Sequence, residues 1–104
     1  MLSYNIFSHL LLLAPTLVKG ETTPAGLTNA AEVTVTLTFS EPVKIIGENA
    51  SEFTAVDAKD GYATTYTTKA TEVNEVINVT FEDVAGHTGT GSYTVTNIDR
   101  VGPT

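Results

Sequence analysis

His9 and His87 are the only imidazoles in the chain. His87 stands four residues after Asp83 and directly before Thr88, among Gly86, Gly89 and Gly91. A hydroxyl, an imidazole and a carboxylate are the parts of a nucleophilic triad. Such a triad also needs mutual hydrogen-bond geometry and a turn that exposes the nucleophile. The pattern around His87 supplies neither, so His87 reads as a loop residue. Paired carboxylates for glycoside hydrolysis need a cleft, and a chain of 104 residues leaves little room for one. The expectation is therefore a chain that is not an enzyme and has no catalytic residues.

Carboxylates that bind calcium must bring six to eight oxygens to one point. Asp57 and Asp60 fall within one turn, and Glu82, Asp83 and Asp99 flank the last predicted strand. These five are the candidate metal ligands, and the second group has the chance to converge at one end of the fold. Neither group has the spacing of a calcium-binding loop. No cofactor is expected, with calcium the one ion these side chains could serve. Tyr62 and Tyr66 lie four residues apart on a predicted strand, hence on one face. An exposed face would let them stack on sugar rings, and a buried one makes them core. Two glycosylation-type triplets, Asn49-Ala50-Ser51 and Asn78-Val79-Thr80, read as coincidence.

The elements that would position these residues are strands. The chain holds 19 Thr and 11 Val, which are stiff at χ1 and suit a pleated surface better than a helix. Residues 33–39 alternate strictly, with Val33, Val35, Leu37 and Phe39 on one face and threonines on the other. Ser40-Glu41-Pro42 is expected to end that strand, because proline cannot donate to a ladder. Further strands are expected at 43–46, 53–56, 62–68, 76–81 and 92–98. Asp60-Gly61 marks a tight turn, residues 69–74 a polar loop, and 82–91 a glycine-rich loop. The core is predicted as Val33, Val35, Leu37, Phe39, Phe53, Ile77, Val79, Phe81, Tyr93 and Val95. Six or seven short strands with regular turn signals make an antiparallel two-sheet sandwich.

The bulk numbers fit one exported domain. There is no cysteine, so neither a disulfide framework nor a cysteine zinc site exists. The net charge of −7 repels phosphate backbones and anionic membranes. No nucleic acid partner and no membrane insertion are expected. Residues 1–13 form an apolar segment, either a signal peptide cut after Gly20 or a start that is not native to the domain. The run from Leu10 to Ala14 is too short to span a bilayer. Ala14-Pro15-Thr16 matches Gly102-Pro103-Thr104, and the two prolines are 88 positions apart. One copy stands before the first predicted strand and the other after the last, as the linkers of a tandem array would.

Three runs carry a family resemblance. Val-Thr-Val-Thr-Leu-Thr-Phe-Ser-Glu-Pro-Val over 33–43 resembles the opening strand of bacterial Ig-like repeats. Phe-Glu-Asp-Val-Ala-Gly-His-Thr-Gly over 81–89 resembles their late loop, with His87 where asparagine is usual. Thr-Asn-Ile-Asp-Arg-Val-Gly-Pro-Thr over 96–104 is similar to their inter-domain junction. The resemblance covers residues 14–104. It implies an all-β, immunoglobulin-like sandwich of about seven strands that ends in an inter-domain linker. It also implies neighbouring Ig-like domains in tandem and a secreted or cell-surface location. The implied role is a structural or adhesion module, a spacer or stalk repeat. The alternative is an adhesin module for a host or matrix ligand, protein or carbohydrate, stabilised by calcium.

Overall fold

A computed structural model describes residues 14–100 of the chain. Residues 1–13, with the apolar run, and residues 101–104, with the second proline junction, lie outside the described residues. The described part is all-β. It has strands β1 (Leu17–Thr23), β2 (Val33–Ile46), β3 (Thr54–Val56), β4 (Ala63–Ala70), β5 (Val76–Asp83) and β6 (Thr88–Thr94). A single 3-10 turn covers Ala50–Glu52. The strands form one antiparallel hydrogen-bonded network in the order β3-β4-β2-β5-β6, with β1 on the other edge of β2. Among the described residues no helix is long and apolar enough to cross a membrane.

Strand β2 organises the rest. Its alternation buries Val33, Val35, Leu37, Phe39, Val43 and Ile45. Its first half pairs with β1 on one edge and β4 on the other, so Leu37 stands opposite both Gly20 and Tyr66. Its second half pairs with β5, Val43 opposite Asp83 and Ile46 opposite Thr80. Pro42 does not end the strand as expected. The register with β4 shifts between Thr38 and Val43, so Pro42 sits where β2 changes partner and its missing N–H is not needed.

That change of partner is a reversal. Arg100 donates to Ala31 O (3.0 Å) and to Thr71 O (2.6 Å). The start of β2 and the end of β4 therefore meet at one pole, here the distal pole. The loop from β4 to β5 covers only residues 71–75. Five residues reach about 18 Å, whereas 14 strand residues laid straight run about 46 Å. β5 can start near the distal pole and still pair with the far half of β2 only if β2 turns back at Ser40–Pro42. The opposite, proximal pole thus gathers that corner, the Asp57–Tyr62 turn and the β5–β6 hairpin tip. Phe39 fills the corner, edge-on to Phe81 (4.7 Å between centroids) and Tyr66 (6.0 Å).

Leu17–Thr23 form β1, so the first proline junction runs straight into a strand. Pro15 is buried. Thr16 N–H donates to Ser40 Oγ and Ser40 N–H to Thr16 O, each at 2.9 Å. β1 then pairs with β2 from Phe39 to Thr34. A cut after Gly20 would fall inside this strand. The glycine-rich loop expected over 82–91 is also largely strand, because β6 begins at Thr88. Gly89 and Gly91 make room for the chain at Pro15 and Leu17. A Cβ on Gly89 would meet Pro15 O at 2.6 Å, and one on Gly91 would meet Leu17 Cβ at 2.9 Å.

The chain leaves at the distal pole through a tied segment. Val95, Asn97 and Ile98 are buried. Asn97 Nδ2 donates to Pro24 O (2.8 Å) and Gly26 O (3.0 Å), and Thr28 N–H donates to Asn97 O (2.8 Å). Arg100, expected in the exit linker, is instead fastened to Ala31 and Thr71, with a longer contact to Asn29 O. Of the ten predicted core residues, eight are buried, while Phe53 and Tyr93 are half-buried against the core. Val43, Ile45, Ala63, Tyr66, Ala70 and Ile98 complete it.

Candidate functional site

The residues with chemical potential collect at the proximal pole. β5 ends in a three-residue hairpin loop. Gly86 N–H donates to Asp83 O (3.0 Å), and Gly86 takes φ 96°, which closes a turn that favours glycine. Asp83 N–H donates to His87 O (2.9 Å), and His87 N–H donates to Asp83 Oδ1 (2.8 Å). The His87 ring nitrogen Nδ1 lies 3.3 Å from Asp83 Oδ2. Asp83 is only 2% exposed, and a buried carboxylate survives only when it is hydrogen-bonded.

Glu41, at the β2 corner, completes this group. Burial, the negative charge of Asp83 and a hydrogen bond with the Asp83 side chain raise the Glu41 carboxyl above its ordinary value, with His87 opposing. Burial also pushes Asp83 up. Hydrogen bonds from the His87 backbone and ring and from Glu41 outweigh it and hold Asp83 below its ordinary value. The shifts of the two carboxyls are opposite, Glu41 up and Asp83 down, and the pair lies between the hairpin tip and the corner. Among the described residues no hydroxyl bonds to the His87 ring, so the group lacks the nucleophile a triad would need. Its hydrogen bonds between Asp83 and His87 hold the β5–β6 turn closed against the β2 corner.

Beside this clip is a cavity of about 330 Å³, at the small end of ligand-sized pockets. Its lining includes Pro42 from the corner, Val84 from the hairpin tip, and Asp57, Asp60 and Tyr62 from the turn before β4. That turn is closed by paired bonds between Lys59 and Tyr62 (2.8 and 3.0 Å). Asp57 and Asp60 adopt positive φ, 55° and 56°. Lys44 Nζ stands 5.4 Å from the centroid of the Tyr62 ring.

The five candidate metal ligands do not come together. Asp57 and Asp60 border the cavity, while Glu82 and Asp83, consecutive on β5, face opposite sides. Asp99 lies at the distal pole, its N–H bonded to Thr28 O (2.8 Å). Among the described residues no three His, Asp or Glu side chains are arranged to hold a metal ion. Tyr62 and Tyr66 do not share a face either. The pairing shifts between Ala63, opposite Val43, and Thr65, opposite Thr38. Tyr66 turns into the core and donates to Val43 O (2.7 Å), while Tyr62 stays at the cavity.

Sequence reasoning passed over Glu41 and Pro42 as strand-breaking residues. The available signal was a charged residue beside a proline inside a strand whose alternation continues beyond both. No protein-family model matches the chain, and neither a curated protein nor a solved structure matches it.

Proposed function

We propose that this chain is an immunoglobulin-like sandwich acting as a non-catalytic spacer or stalk module in an exported bacterial surface protein, with like domains as its neighbours. The observation that carries the reading is the path of the chain. It enters at the proximal pole, where Pro15 and Thr16 are fastened beside Gly89 and Ser40. It leaves at the opposite pole, where Arg100 is fastened to Ala31 and Thr71. A module held at opposite ends passes length along an array. The pairing pattern supports the fold. If β2 counts as two strands, β1, its first half, β4 and β3 correspond to the A, B, E and D strands of one immunoglobulin sheet. Its second half, β5 and β6 correspond to C, F and G of the other.

The test is X-ray scattering from one copy and from two copies joined head to tail. The longest dimension is expected to grow by nearly a full domain length. Two copies folded side by side would overturn the spacer reading. The second reading, an adhesin module, is favoured by the cavity at the proximal pole. It predicts that a host-matrix protein or glycan binds the full chain and that Val84→Asp abolishes the binding.

A further inference from the structure

Leu27 is the most exposed of the large hydrophobic residues described, at 77%. It is carried by one of the best-tied loops in the fold. Asn97 donates to the carbonyls of Pro24 and Gly26 before it, and Thr28 N–H after it returns a bond to Asn97. A rigid loop thus presents a large apolar side chain at the distal pole. At the proximal pole lies the cavity, with Pro42, Tyr62, Ala63 and Val84 as its apolar wall and Asp57, Lys59 and Asp60 at its border. Val84 is itself 70% exposed. A projecting apolar residue and a mostly apolar hollow with a charged border stand at opposite ends of one module.

We propose that Leu27 of one copy seats in the proximal cavity of the copy that follows it. The occupant of the cavity is a second copy of this domain. The inference rests on the tandem reading above and adds to it a defined, rigid joint.

Chain length argues for this occupant. Arg100 is pinned at the distal pole. Pro103 holds the place in the second proline junction that Pro15 holds in the first. Pro15 is buried at the proximal pole, its carbonyl against Gly89. If Pro103 seats likewise on the next copy, only Val101 and Gly102 separate the two pinned points, and three backbone steps reach about 11 Å. The distal pole of one copy must then abut the proximal pole of the next. A contact between two different surfaces of the same module repeats without closing, as an array requires.

The test uses the full chain followed by residues 17–104 of a second copy, so that Pro103 stands in for Pro15. The natural chain has no cysteine, so an introduced pair reports only on itself. Leu27→Cys in the first copy with Val84→Cys in the second is expected to form a disulfide. It should form at least about tenfold faster than the reverse placement, because only the first arrangement brings the sites to one joint. Equal rates, or no disulfide in the first arrangement, would overturn the proposal. Leu27→Asp in the first copy is expected to leave the unfolding midpoint of a single copy unchanged. In the two-copy chain it should make the scattering envelope more flexible, and unchanged rigidity there would also overturn the seat. An extended two-copy chain that fails to cross-link removes the joint and leaves the spacer reading standing. A compact one removes both.

Discussion

The ring of Tyr93 on β6 lies directly on the backbone of Gly20 on β1. A Cβ at position 20 would stand 2.4 Å from Tyr93 Cδ1 and 2.6 Å from Cγ. The two strands share no ladder bonds, so this contact, with Pro15 over Gly89 and Leu17 over Gly91, is how the first strand packs on the last.

Gly20→Ala is therefore expected to destabilise the fold by about 1–3 kcal/mol through overpacking. The clash is with the root of the ring, so the whole Tyr93 side chain must leave its place. Urea unfolding of Gly20→Ala, Tyr93→Ala and the double variant checks this. The double variant should lose clearly less than the sum of the two.

Tyr66→Phe removes a hydroxyl that reaches the carbonyl of Val43 at the β2 corner. Val43 is fully buried, so its carbonyl loses its side-chain donor without gaining water. A loss of about 1–2 kcal/mol in unfolding free energy is expected. Burial also pushes the Tyr66 phenol above its ordinary value. An alkaline absorbance titration should therefore lose a late-ionising tyrosine in the variant.

Much of this was legible in residue order. The alternation from Val33 to Phe39 placed the central strand and its buried face, and Ile77, Val79 and Phe81 did the same for β5. β1 was not legible, because Lys19 and Gly20 interrupt its pattern and only one of its faces is half-covered. The first half of β6 was hidden by Gly89 and Gly91, which suggest a loop when read alone and lie under the chain at Pro15 and Leu17, and the strand expected over 92–98 ends at Thr94. The Glu41–Asp83 pair depends on β2 reversing at Pro42, a tertiary event that sequence spacing does not encode. Arg100 looked like linker because its three acceptors are backbone carbonyls, which carry no residue-type signal.

Calcium is expected to leave the unfolding temperature of the full chain within about 1 °C of its value in chelator, since a ligand acts only through a site in the folded state. The reason is the dispersal of Asp57, Asp60, Glu82, Asp83 and Asp99 over two poles and two faces. Differential scanning fluorimetry at millimolar calcium measures it. A rise of several degrees would mean that carboxylates converge somewhere the described residues do not show.

Glu41 and Asp83 should give stability opposite slopes with pH. Stability follows the difference in protons bound by the unfolded and folded chains. Asp83 is held below its ordinary 3.8. Between its folded value and 3.8 the unfolded chain binds more protons, so stability falls as pH falls. Glu41 is raised above its ordinary 4.5. Between 4.5 and its folded value the folded chain keeps the proton, so stability falls as pH rises. The two contributions together are greatest between about 3.8 and 4.5. Glu41→Gln keeps a donor toward Asp83 and has no proton to lose. Its urea midpoint near pH 7 is expected to exceed that of the natural chain by a few tenths of 1 M, on the order set by ordinary denaturant slopes. Near pH 4 the two midpoints should converge, because Glu41 is then protonated in the folded natural chain. An offset that stays constant across this range would show that Glu41 titrates as a solvated carboxyl and that the clip to Asp83 does not hold its proton.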